Sequence, residues 1–67
     1  MNIINKEIGF RYASYQIEDG HKKYSVIKAF GYPSSEQSIR VEDQEGTLVL
    51  DENIIEKINK AILEYNS

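Results

Sequence analysis

The sequence predicts an α+β domain, a four-stranded antiparallel β-meander with one C-terminal α-helix packed on one face, in the order β-β-β-β-α. Three observations predict it. Residues 50–65 carry apolar side chains at helical spacing. Asp19-Gly20 separates two runs rich in aromatic and β-branched residues, the pattern of a tight hairpin. Asp43-Gln44-Glu45-Gly46 separates two further short alternating runs just before the helix.

Taken in order, the opening residues are ambiguous, because Ile3, Ile4 and Ile8 fit either a short strand or an irregular lead-in. Residues 9–17 read as the first strand, with Phe10, Tyr12, Tyr15 and Ile17. Their alternation changes phase near Tyr12-Ala13, which predicts a twist, a bulge or apolar contacts on both faces. Asp19-Gly20 forms the centre of a primed turn, and residues 22–32 return as the second strand. With Glu18 opposite His21, Tyr15 faces Tyr24, Ala13 faces Val26, Tyr12 faces Ile27 and Phe10 faces Ala29, so apolar meets apolar. The same register sets Arg11 opposite Lys28, a like-charge pair that calls for an acid or a ligand between them. Residues 31–35 are turn chemistry, and the aromatic before Pro33 raises the chance of a cis Tyr32-Pro33 bond, with trans still favoured.

Residues 38–42 read as the third strand and 47–50 as the fourth. Pairing Val41 with Leu48 and Ile39 with Leu50 places all four on one face. Gly46 suits the left-handed position of the intervening turn. In the helix, Ile54, Ile58, Ala61, Ile62 and Tyr65 share one side, with Ile55 at its edge and Leu63 on the outer side. Asp51 is placed to cap the first free amides, Glu52 stands where the helix dipole favours negative charge, and Leu50 and Ile55 have the spacing of a hydrophobic staple. One helix covers only part of a four-stranded sheet. The other face is therefore expected to meet water or a partner.

Composition narrows the class. Sixty-seven residues make one domain, 1–67, without repeat, low-complexity run or linker. A chain of this size has a net stability of roughly 3–5 kcal/mol. With no cysteine, neither a disulfide nor a thiolate metal site contributes, and ten isoleucines with five tyrosines supply the core. Residues 1–6 lack the charged start and apolar run of a signal peptide, and the longest aliphatic run, 48–50, is far too short to span a bilayer. A cytoplasmic protein is expected, with no membrane association. The net charge of −3 divides unevenly, +2 over residues 1–32 and −5 over residues 33–67. That division suggests two faces of opposite sign.

No catalytic set is visible. His21, the single histidine, sits beside a turn glycine without converging partners, and no serine has an activating base at recognisable spacing. Glu42, Asp43 and Glu45 lack the alternating ligands and closing glutamate of a calcium loop, and no phosphate-binding glycine loop or dinucleotide fingerprint occurs. No metal and no cofactor is expected. The tyrosines stand out instead. Tyr12, Tyr15, Tyr24 and Tyr32 are interleaved with Arg11, Lys22, Lys23 and Lys28. Tyrosine and arginine anchor protein interfaces. The leading expectation is therefore a non-enzymatic protein-interaction module acting by surface complementarity, as a homodimer and with a protein partner. Its expected contacts are Tyr15, Tyr24, Arg11, Lys28, Glu42, Asp43 and Glu45. An acidic accessory protein of a phage or mobile element, binding and inhibiting a host protein, fits this composition. The alternative is a small nucleic-acid-binding domain that uses Arg11, Lys22, Lys23, Lys28 and Tyr12, which the acidic pI of about 5.0 opposes.

Overall fold

The computed structural model describes residues 1–30 and 37–67. Strands β1 (Asn2–Gly9), β2 (Tyr12–Asp19), β3 (Lys22–Phe30) and β4 (Gln37–Asp43) form one antiparallel sheet in sequence order, and helix α1 (Glu52–Asn66) packs on one face. The α+β fold of four strands and a C-terminal helix is as expected, but its strands are not the four expected. The opening residues form a complete edge strand, β1. The 47–50 run is reduced to one isolated bridge, Glu42 to Leu48, on the outer edge of β4. The expected turn over residues 31–35, with its Tyr32-Pro33 bond, falls on residues 31–36, outside those described.

The ambiguity of β1 has a local cause. Its pairing with β2 shifts between Ile3 and Asn5, so Ile4 is an extra residue. Ile3 pairs with Ile17 and Ile8 with Ala13, which places both on the helix side despite their odd spacing. The bulge hides the period of two that would have marked a strand. The phase change near Tyr12 is a strand boundary: Phe10 and Arg11 form the β1–β2 turn, and Arg11 adopts φ 64°. From Tyr12 onward β2 alternates cleanly, burying Ala13, Tyr15 and Ile17.

The β2–β3 hairpin is displaced from the expected register. Asp19 pairs with Lys22 and Tyr15 with Val26, so the turn centres on Gly20-His21. Gly20 has φ 63° and His21 has no positive φ, the pattern of a type II′ turn with glycine first. The displacement moves each partner by two residues, so every side chain keeps its expected face. It also separates Arg11 from Lys28, which instead pairs with Ala13.

Beyond β4, Gly46 N–H donates to the Asp43 carbonyl at 3.0 Å, and Asp43 Oδ1 accepts from the amides of Glu45 and Thr47 at 2.9 Å each. Asp43 N–H then donates to Thr47 O and Val49 N–H to Val41 O, at 2.9 and 2.8 Å. This register differs by one residue from the expected pairing, and one residue exchanges the faces. Val49 packs against the core, while Leu48 and Leu50 are 47% and 75% exposed.

The core is Ala13, Tyr15, Ile17, Tyr24, Val26 and Val41 from the sheet with Ile58 and Ile62 from the helix, bordered by Ile3, Ile39, Val49, Ile54 and Ile55. The helix stripe is thus as its periodicity implies, except that Tyr65 is half exposed at the helix end. Asp51 caps the helix by accepting from Asn53 N–H at 2.9 Å, and Glu52 occupies the first turn. Leu50 does not fold back as a buried staple. Leu63 faces outward at 67% exposure.

Candidate functional site

The tyrosines expected to form an open binding face divide sharply. Tyr15 and Tyr24 are 3% and 6% exposed, because both share the side of the sheet that the helix covers. They are core residues, and the expectation of an open face built on them is corrected. Tyr12 lies on the opposite side. Its ring crosses Gly9, its cross-strand partner, so closely that any side chain at that position would collide with it.

The opposite side of the sheet is largely polar. Gln16 and Ser25 pair across β2 and β3, with Ser25 Oγ donating to Gln16 Oε1 at 3.1 Å. Arg40 and Glu42 lie along β4 in an exposed ion pair at 3.0 Å, worth at most about 1 kcal/mol. Apolar surface gathers at one end. Phe10 is 84% exposed in the β1–β2 turn, Tyr12 and Ile27 are diagonal neighbours in the β2–β3 register, and Ile8, 75% exposed, stands beside the turn on the helix side. Arg11 stacks over the Phe10 ring, its guanidinium 5.0 Å from the ring centre.

The expected cations do not converge. Arg11 and Lys28 belong to this apolar end, whereas Lys22 and Lys23 begin β3 at the other end. Five or six strand residues separate the two pairs, about 17–20 Å. Nor do the acids form one patch. Glu42 pairs with Arg40, Asp43 holds its own turn, and Glu45 projects from that turn.

What Lys22, Lys23 and Glu45 do share is a cleft of about 320 Å³, lined also by Tyr24, Asp43, Gln44, Val49 and Ile54. The start of β3 and the turn after β4 both contribute to it, and its charges balance, two lysines against Asp43 and Glu45. Periodicity assigns Tyr24, Val49 and Ile54 to the core and turn chemistry assigns residues 43–46, but no local signal tells that the two meet. Among the described residues, no three His, Cys, Asp or Glu side chains come together in a group able to hold a metal ion. His21 is an exposed turn residue.

No family model, curated protein or solved structure matches the chain. The residues themselves therefore carry the functional reading. No helix among the described residues is long and apolar enough to cross a membrane.

At the sheet edge next to β1, Lys6 reaches across to the end of the helix. Its ammonium donates to Asn66 Oδ1 and lies 5.7 Å from the Tyr15 ring centre and 5.8 Å from that of Tyr65. Asn66 Nδ2 in turn donates to Tyr15 Oη at 3.1 Å. The last helical turn has no basic residue of its own, and β1 supplies the cation that the helix dipole favours there.

Proposed function

We propose that the chain is a cytoplasmic, non-enzymatic protein-interaction module. The observation that carries this reading is the apolar end of the sheet, where Phe10, Tyr12 and Ile27 expose large side chains beside Arg11. Aromatic and arginine side chains of this kind anchor protein contacts, because they bury large areas with few rotatable bonds. An aliphatic side chain such as Ile27 adds contact area to a protein partner but offers no stacking plane to a base. The separation of Lys22 and Lys23 from Arg11 and Lys28 removes the continuous basic track that a nucleic-acid strand would follow.

The test is solution mass by light-scattering chromatography, with and without mixed-sequence oligonucleotides at low salt. The expected result is a mass that ignores the oligonucleotide. Twice the chain mass of 7.7 kDa would assign the apolar end to a second copy of the chain. A shift with oligonucleotide that disappears steeply as salt is raised would replace this reading with nucleic-acid binding.

A further inference from the structure

We propose that the sheet face opposite the helix pairs with the same face of a second copy of this chain, about a twofold axis parallel to the strands between β2 and β3. The proposal rests on the protein-interaction reading above and names the partner.

The register supplies the geometry. Cross-strand partners share a face, so the open side is a grid of rows running from β1 to β4. On the two central strands, Tyr12 stands beside Ala29 in the first row and Ser14 is the cross-strand partner of Ile27 in the second. Gln16 pairs with Ser25 in the third row and Glu18 with Lys23 in the fourth. Glu7 on β1 and Arg40 on β4 end the second row, and Asn5 and Glu42 end the third. A twofold axis along the strands keeps each row and exchanges its ends. Glu7 then meets Arg40 of the second copy, Asn5 meets its Glu42, and Glu18 meets its Lys23.

Glu7 and Arg40 decide the occupant. They stand three strand spacings apart, about 14 Å, too far to pair within one chain. Among the described residues Arg40 pairs with Glu42, and Glu7 forms no ion pair. The Arg40 guanidinium has more donors than Glu42 uses, and a carboxylate from a second copy can take them. The uncharged rows agree with the same axis. Tyr12 falls on Ala29 of the second copy, and Ile27 falls beside its Tyr12, so apolar meets apolar. Gln16 Oε1 already accepts from Ser25 Oγ in its own chain, which leaves Gln16 Nε2 to donate to Ser25 of the second copy. Packed sheets turn about 30° from each other, which moves an edge strand by about one residue, within reach of glutamate and arginine side chains.

Other arrangements of two copies fit worse. A twofold axis across the strands would set Tyr12 on Glu18 and Ala29 on Lys23. Pairing edge to edge meets the bulge at Ile4 on β1 and the residues 47–49 that already bond to β4. Two open faces of four strands bury about 1,000 Å² in total, the lower limit for a specific interface, so the dimer dissociates at micromolar concentrations.

The experiment is sedimentation equilibrium of the full chain at low salt, from about 1 μM to about 1 mM, with Glu7→Arg, Arg40→Glu and the double reversal. Both positions are exposed, and each variant is expected to keep the circular dichroism of the parent. The parent is expected to reach twice the chain mass of 7.7 kDa at the upper end. Each single reversal sets like charges together at both ends of the second row and should weaken the dimer at least about tenfold. The double reversal should return it to within about threefold of the parent. An equimolar mixture of the two single variants should associate where neither does alone, because each reversed side chain then meets an opposite charge across the axis. A monomer throughout overturns the proposal. So does a dimer that both single variants retain, or a loss that neither the double variant nor the mixture restores. A dimer abolished by Phe10→Ser and indifferent to both reversals would overturn this face and place the contact at the β1–β2 turn. The interaction reading would survive each of these results, since it falls only on the oligonucleotide measurement.

Discussion

Arg11 occupies a backbone conformation that a bulky side chain rarely adopts. Its φ of 64° at the second central position of the β1–β2 turn is one that glycine takes freely. Holding a non-glycine residue there stores about 1–3 kcal/mol. Its stacking on Phe10 returns about 0.5 kcal/mol. Replacement by glycine loses that stacking and adds about 0.4–1 kcal/mol of unfolded-chain entropy. Arg11→Gly is therefore expected to raise stability by about 1 kcal/mol, which thermal unfolding reads as roughly 4–8 °C in a domain this small. A lower midpoint would show that contacts of the Arg11 side chain outweigh the strain. Nothing in the neighbouring sequence announces this turn, because neither Phe10 nor Arg11 is a turn residue by composition. Gly20 and Gly46, with φ of 63° and 82°, are the contrasting case, where residue type and backbone requirement coincide.

Among the elements, α1 depends on the sheet for its ending. Asp51 and Glu52 begin it from within the helix's own sequence, whereas Lys6 of β1 closes its far end through Asn66, Tyr15 and Tyr65. Lys6→Met keeps most of the aliphatic stem and removes the cation. Two cation–π contacts and one dipole interaction, each worth about 0.3–1 kcal/mol, place the expected loss at about 1–3 kcal/mol. Hydrogen exchange should accelerate in the last helical turn and stay unchanged near Asp51. Uniform acceleration along the helix would mean that Lys6 acts on the whole fold and not on its end. The same residue guards the edge of the sheet. A charged side chain set on the covered face and a bulge at Ile4 both discourage another strand from pairing with β1.

For the molecule as a whole, the placement of the tyrosines decides what a mutation can test. Tyr15→Ser combined with Tyr24→Ser empties two core positions, each worth about 3–5 kcal/mol by analogy with other aromatic truncations. Against a total stability of roughly 3–5 kcal/mol, the double variant is expected to lose cooperative unfolding altogether, as circular dichroism on heating would show. A folded double variant would contradict the burial of both rings. Phe10→Ser, at an 84% exposed position, is the substitution that probes a surface without touching the core.

Much of this architecture follows from local chemistry. The amphipathic helix with its Asp51 cap, the glycine turns at 20 and 46, and the single covered face of β2 and β3 all depend on neighbours within a few residues, where periodicity and torsional preference act. The membership of the sheet does not. Residues 2–9 and 47–50 are both short apolar runs, and only pairing with β2 and β4 makes the first a full strand and the second a single bridge. A one-residue shift then sends Val49 inward and Leu48 outward. The candidate cleft is the extreme case. Its lining residues come from β3, the end of β4 and the turn after it, the 47–50 run and the first turn of the helix, and packing of the helix across the sheet is what brings them to one place.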